Sequence, residues 1–405
     1  MKKSIAIIGS GPAALMLAAK LDPEKFKVTI YEKNQAAGRK FLVAGKGGFN
    51  LTHSDPAKDL IDKYTPSALF DQLIHSFSNT DLRDWFASIG IPTFIGSSKR
   101  VFPTKEIKPI DVLTAILNEL KKKEVTIHYS HEWIGWTKNK ELRFQKSKEE
   151  IAVAADITVF ALGGGSWKVT GSDGSWTPIF AEKGIDILPF QASNCAFNIK
   201  WTQPFLDQAE GKALKNIAFS ALGKEKKGEA VITQTGIEGG AIYALSQQIR
   251  KQIAEKGSAE VLLDLKPAFS LAEVKNKVEG GRGTKSWTKH LEDQLRLDKI
   301  KIAILKEILS KDDFMIPARV AEKIKKLPLH IHSLAPLDEA ISTVGGVSLQ
   351  AIDSHFQLKA LPGNYVIGEM LDWDAPTGGY LLQGCFSMGN ALGKHLNTSV
   401  FYPKV

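Results

Sequence analysis

The sequence predicts an α/β fold, a parallel sheet flanked by helices, and three observations predict it. A run of β-formers at Ser4–Ile8 breaks at a glycine turn into an apolar pattern with helical spacing. A second run, KVTIYEK from Lys27, ends in an acid. Two later runs, ADITVFALGGGSW and NYVIGEM, also end in glycine or in glycine followed by an acid.

The totals suit such a fold. At 405 residues the chain exceeds what one hydrophobic core covers, so two or three domains are expected. Hydrophobic residues at 43% and charged residues at 24% are ordinary for a chain folded throughout. The net charge of +9 sits in short separated runs, KKKE at Lys121 and KEKK at Lys224, which read as solvated helix and turn faces. Nucleic acid is therefore not the expected partner. Cys195 and Cys385 stand far apart in no metal or redox pattern, which fits buried thiols in a reducing compartment. The apolar run after Lys2 and Lys3 stops at glycines too early for a signal peptide, and no stretch approaches the roughly 18 apolar residues of a membrane span. A cytoplasmic protein without membrane contact is the expectation.

In the first element, Gly9, Gly11 and Ala14 form GxGxxA between strand and helix. Missing side chains permit a tight turn and close approach of a pyrophosphate, and the helix starting near Pro12 directs unpaired N–H groups at that charge. The second strand delivers Glu32 at the spacing of roughly 20 residues from which a carboxylate accepts from ribose hydroxyls. An acid there disfavours a 2′-phosphate by charge repulsion. An adenine dinucleotide without that phosphate is expected.

NAD and FAD share these features, and the later elements discriminate. The third strand runs into Gly163, Gly164 and Gly165, where small residues let the chain pass close to a cofactor. The fourth ends at Gly368 and Glu369, followed by the turn Thr377, Gly378, Gly379 and an apolar helix. An acid on a late strand suits a ribityl chain. A helix aimed by its positive end suits a flavin pyrimidine, where negative charge accumulates on reduction. The ordered set favours FAD.

These residues, together with GRKFLVAGKGGFNLTH from Gly38, RVFP at Arg100, TQTGIEGGAIYALS from Thr233, TVGGVSL from Thr343 and GEMLDWDAPTGGYLLQGCFSMG from Gly368, resemble the bacterial NAD(P)/FAD-dependent oxidoreductases of the aminoacetone-oxidase-family FAD-binding flavoproteins (YhiN/BaiN-like) nearly end to end. The resemblance implies a discontinuous Rossmann-like FAD-binding domain at 1–190 and 336–405, an inserted mostly β domain at 191–267 and a small helical domain at 268–335. Alternating runs such as NCAFNIKW and VLLDL, then helical LAEVKNKVEG and DKIKIAILKEIL, agree with it. It further implies cofactor contacts at Gly9, Gly11, Pro12, Ala13, Glu32, Lys33, Arg39, Lys40, Lys46, Gly47, Gly48, Asn50, Trp133, Ala161, Leu162, Gly163, Gly164, Gly368, Glu369, Gly378, Gly379, Tyr380 and Leu381. In the Gly38–His53 stretch, glycine amides can nest anionic oxygens while Arg39 and Lys40 neutralise pyrophosphate, and Lys46 to Asn50 approach the flavin. Relatives often carry a small residue or Cys where this chain has Phe49.

A flavin enzyme needs little catalytic machinery beyond orientation and tuning of the ring. Candidates are Asn50 for a flavin edge, Arg100 for an anionic or carbonyl substrate, and Tyr243, Asp372, Asp374 or Tyr380 for proton transfer. Asp372 and Asp374 serve equally as a loop capping the last helix. His330 and His332 alternate on a strand with no third ligand nearby, so no metal is expected. GGRGTKSW at Gly280 reads as an inter-helix loop. The favoured function is an FAD oxidoreductase acting on a small organic molecule, with NAD(P)H or oxygen completing the cycle. A flavoprotein whose basic helical insert contacts RNA, and a redox sensor without turnover, are the alternatives. There is no second GxGxxG, so a nicotinamide would share the flavin face.

Overall fold

The computed structural model describes residues 2–43 and 49–399. Lys46, Gly47 and Gly48, expected at the cofactor, lie outside the described residues. The chain divides into two compact units, Met1–Gln191 with Ser342–Val405, and Ala192–Ile341.

The first unit is built on a five-stranded sheet. Strand β1, Lys3–Ile8, enters helix α1, Pro12–Lys20, and β2 follows at Phe26–Tyr31. Helix α2 is the short Arg39–Val43, and β3 is Thr52–His53. β4, Thr93–Ile95, and β5, Arg100–Pro103, complete a small antiparallel sheet with β3. The helix Pro109–Lys122 leads to β6, Thr126–His128. A meander of β7, Glu132–Trp136, β8, Leu142–Lys146, and β9, Glu149–Val153, precedes β10, Ile157–Phe160. The last strand of the main sheet, Asn364–Val366, pairs in parallel with β10, and the long helix Tyr380–Thr398 follows.

The main sheet runs Asn364–Val366, β10, β1, β2, β6, with every neighbouring pair parallel. Its register sets Ile5 beside both Val28 and Ile157. Parallel strands covered on both faces read as continuous apolar runs, and Ile5, Ala6, Ile7 and Ile8 are all buried. From β1 the chain builds outward first to β2 and β6, then returns to place β10 on the other side. The crevice at the carboxyl ends of β1 and β10 is therefore the topological switch point at which such sheets hold ligands.

Helix α1 begins with Pro12, whose absent N–H has no partner to lose at that position, and buries seven of its nine residues. It packs on the helix Tyr380–Thr398, so the two ends of the unit share one core. Gly9 has φ +98°, and a Cβ there would overlap the carbonyl oxygen of Ala161 at the end of β10. The glycine is required both by its own conformation and by the neighbouring strand.

The second unit contains a seven-stranded sheet, antiparallel throughout, in the order Leu327–Ile331, Ala259–Asp264, Ala213–Ala221, Lys224–Thr233, Gly236–Glu238, Phe197–Asn198, Ser333–Leu334. Its buried strand residues Phe219, Val261 and Leu329 share a core with Val274, Leu291, Ile304 and Val320 of the following helices. The β-rich and helical pieces read separately from the sequence thus contribute to one core. His330 lies opposite Glu260 on the neighbouring strand, its Nδ1 3.9 Å from that carboxylate.

Candidate active site

A cleft opens at the switch point of the first unit and runs from β2 across the turn after β1 to the start of the strand-to-helix connection at residues 367–369. Both ends of the unit line it: Gly9, Gly11, Pro12 and Ala13 on one side, Gly368, Glu369 and Cys385 on the other.

At the β2 end, Glu32 is buried and its carboxylate is fully engaged. Oε2 accepts from the Ser10 amide at 3.2 Å and from the Ser10 hydroxyl, and Oε1 from the Asn34 amide at 2.8 Å and side chain at 2.7 Å. Arg39 donates to Asn34 Oδ1 at 2.8 Å, and Lys33 pairs with Asp173 at 2.7 Å. His131 and Trp133 line the same end. Trp133 is 6% exposed, and its buried indole Nε1 has no hydrogen-bond partner among the described residues.

In the middle, the turn is open. A Cβ at Gly11 would meet nothing within 4 Å, and among the described residues no side chain caps α1, so the orphan amides of its first turn border the cleft. Ala161, Leu162 and Gly163 form the opposite wall. That wall is fixed from behind: the Trp176 indole donates to the Gly163 carbonyl at 3.0 Å, the Ser172 hydroxyl to the Gly164 carbonyl at 3.1 Å, and the Gly165 amide to Thr343 Oγ1 at 3.2 Å.

Towards the other end, the Lys40 ammonium lies 2.9 Å from Glu369 Oε2 and 3.0 Å from the Ser166 hydroxyl. Glu369 Oε1 accepts from the Thr343 amide at 3.1 Å. Arg39 and Lys40, read together as phosphate ligands, therefore diverge, one towards the Glu32–Asn34 network and the other towards Glu369. Burial pushes the Cys385 thiol up to about 12, and Glu369 adds to the shift, so it stays protonated at neutral pH.

The start of the long helix carries a second cluster. Gly379 has φ +99°, and a Cβ there would overlap the backbone of Thr52, so β3 and the helix meet main chain to main chain. The Tyr380 hydroxyl donates to Asp55 Oδ2 at 2.8 Å, and the Thr52 hydroxyl to Gln383 Oε1 at 2.7 Å. His53 Nδ1 is 3.0 Å from Asp55 Oδ2, and its ring stacks on Tyr380 with centroids 4.9 Å apart. Burial, then the hydrogen bond to Asp55, raises the Tyr380 phenol, and burial lowers the His53 imidazole. Arg100 lies across from His53 on β5, with Nε against Gly378.

The other candidates separate. Asn50 is half-buried just before β3, and Leu381 packs against the first core. The Asp372 carboxylate accepts from the Gly345 amide at 2.9 Å, and Asp374 forms a backbone bridge with Thr65, so both have anchoring roles. Tyr243 belongs to the second unit, where burial and then Glu238 raise its hydroxyl. Residues not anticipated include Ser10, Asn34, His131, Ser166, Thr343, His53 and Asp55. Ser10 lies inside the glycine motif, Thr343 inside TVGGVSL, Ser166 inside ADITVFALGGGSW and His53 at the end of the Gly38–His53 stretch, so four of the seven fall within the quoted patterns.

The HI0933-like protein Rossmann domain model matches residues 3–395. The chain is 26% identical to a 3-dehydro-bile acid delta(4,6)-reductase of Clostridium scindens, over 96% of this chain and 98% of the relative. It is 24% identical to a ribosomal RNA dihydrouridine synthase of Haemophilus influenzae, over 95% and 96%. Among solved structures, 3-ketosteroid delta1-dehydrogenase of Sterolibacterium denitrificans superimposes with a TM-score of 0.51 at 11% identity, covering 98% of this chain and 100% of the other, a likeness of fold. On the match across residues 3–395, the chain belongs to the HI0933-like Rossmann-domain family and with it to the FAD-dependent oxidoreductases.

Proposed function

We propose that FAD lies along the cleft of the first unit and that the enzyme moves a hydride between it and a small organic substrate, with NAD(P)H or oxygen as the second redox partner. One observation carries this: residues 9–13 and 367–369, from opposite ends of the unit, line a single cleft at the switch point. The residues present fit the group. Trp133 offers a buried, unpartnered donor to a base, the open backbone at Gly11 admits a diphosphate, and Glu369 with Lys40 offers an acid and a cation to a polyol chain and a ring edge.

When bound, FAD would supply the hydride-carrying ring. The chain does the rest. Glu32, Ser10 and Asn34 hold the ribose side, and the first turn of α1 offsets phosphate charge. The start of the helix Tyr380–Thr398 offers its positive pole where reduction places negative charge. Arg100 is the candidate holder of a carbonyl or anionic oxygen on the substrate. Both curated relatives carry names that describe saturation of a ring carbon–carbon double bond, and we extend that reaction class to this chain.

A second reading, reduction of uridine in RNA, draws support from the relative of that name and from the net charge of +9. Against it, several cations of the helical segment are already paired, Lys275 with Glu322, Lys285 with Asp293 and Arg319 with Asp313. The absorption spectrum of the purified protein, before and after added FAD, tests the first claim, and a colourless protein that takes up no flavin refutes it. Anaerobic mixing with NADH and NADPH then identifies the donor. Mass spectrometry of RNA incubated with the reduced enzyme decides between the substrates.

A further inference from the structure

We infer that Asp55 is a positioning residue that lowers the electron affinity of the flavin by holding a negative charge against the first turn of the helix Tyr380–Thr398. The inference rests on the cofactor placement proposed above. The helix has 19 residues and Gly379 at its N-cap supplies no side-chain cap, so the peptide dipoles place a positive pole at its first turn. Asp55 is 8% exposed and receives the hydroxyl of Tyr380, the first residue of that helix, at 2.8 Å.

The groups facing Asp55 come from three directions. His53, on β3, is 3.0 Å away and is held towards its neutral form by burial. Lys99 lies 3.7 Å away but is 67% exposed, so solvent screens it. The Asn79 side chain donates to the Asp55 carbonyl at 2.9 Å and fixes the loop. Arg100, half-buried and across from His53, is the remaining source of positive potential. Asp55 therefore opposes two positive contributors, the helix pole and Arg100, at the place where a flavin would gain negative charge. The Tyr380 O–H dipole partly neutralises it.

This arrangement predicts shifts of opposite sign from two conservative variants. Asp55→Asn removes the charge and keeps the shape. Its flavin becomes easier to reduce, by about tenfold in the ratio of reduced to oxidised cofactor at a fixed poise, roughly 30 mV for a two-electron couple. Tyr380→Phe keeps the ring and removes the donor, leaving the carboxylate less neutralised, and its flavin becomes harder to reduce. The measurement is a spectroelectrochemical titration of the FAD-loaded full-length proteins, after circular dichroism and flavin stoichiometry have shown each to be folded and loaded. Opposite shifts support the inference. Equal midpoints, or shifts in one direction for both variants, overturn it, the latter because general loosening moves both alike. If Asp55→Asn does not load, Tyr380→Phe decides alone: a lower midpoint supports and an unchanged one overturns. A wild-type protein that takes up no FAD overturns the functional reading before any variant is compared, and this inference with it.

Discussion

Replacing Glu32 by Gln probes the proposed ribose site through its hydrogen bonds. Each carboxylate oxygen accepts two donors, Oε2 from Ser10 and Oε1 from Asn34. An amide has one oxygen, so its NH2 faces either Asn34, whose two N–H groups then lose their acceptor, or Ser10, whose N–H loses its acceptor while the hydroxyl turns to accept. At least one hydrogen bond to a charged group is lost at a buried position, worth about 1.5–3 kcal/mol, giving a destabilisation of at least about 1.5 kcal/mol. For a unit of this size that corresponds to a fall of at least roughly 3–6 °C in melting temperature. FAD affinity should fall by more than about tenfold as well, since a ribose hydroxyl must take over one of these acceptor positions and the amide has fewer of them to give. Differential scanning calorimetry of the apo protein and fluorescence titration with FAD measure the two effects. A variant that melts within about 2 °C of wild type and binds FAD equally would show that the four contacts do not hold the carboxylate as described.

Gly9→Ala should be more severe than an ordinary glycine substitution, with a loss of about 3 kcal/mol or more in denaturant unfolding, because positive φ and overlap with Ala161 add; a variant of native stability refutes the close approach. Trp133→Phe should weaken FAD binding about fivefold, the net worth of roughly one neutral hydrogen bond, while leaving FMN, which lacks the adenine, unaffected; equal loss for both ligands would place the indole elsewhere. Burial holds the His53 pKa below the 6.5 of the unfolded chain, so the unfolded state binds the extra proton first. Its contribution is present above pH 6.5 and is lost as pH falls through that value towards the folded pKa. Melting temperature should therefore drop between pH 7.5 and pH 5.5, and His53→Gln should shrink the drop.

What the sequence disclosed followed from how local each feature is. The turn at Gly9 and Gly11 was legible because tight-turn stereochemistry and helix initiation are written within a few residues. Glu32 was legible because a strand of fixed length delivers its last residue to a predictable place. Arg39 and Lys40, read as a pair, separate because adjacent helical residues point about 100° apart, so Lys40 reaches Glu369 while Arg39 reaches Asn34. The Asp55–Tyr380 contact spans a sequence separation of 325 and left no local trace, since Asp55 reads as an ordinary loop acid. The pieces after Gln191 were legible as strands and then helices, because periodicity reports element type. It does not report which elements share a core.

The seam between α1 and the helix Tyr380–Thr398 bears on biosynthesis. Gly389 sits so close to the Ala13 carbonyl that neither helix is covered without the other, and the strand Asn364–Val366 is the final addition to the main sheet. A nascent chain leaving the ribosome would carry its Gly9–Gly11 turn for hundreds of residues before residues 367–369, at the far end of the cleft, emerge. Flavin loading is thereby deferred until the residues after 364 have emerged, and a protein shortened before residue 364 should emerge apo and prone to capture by chaperones.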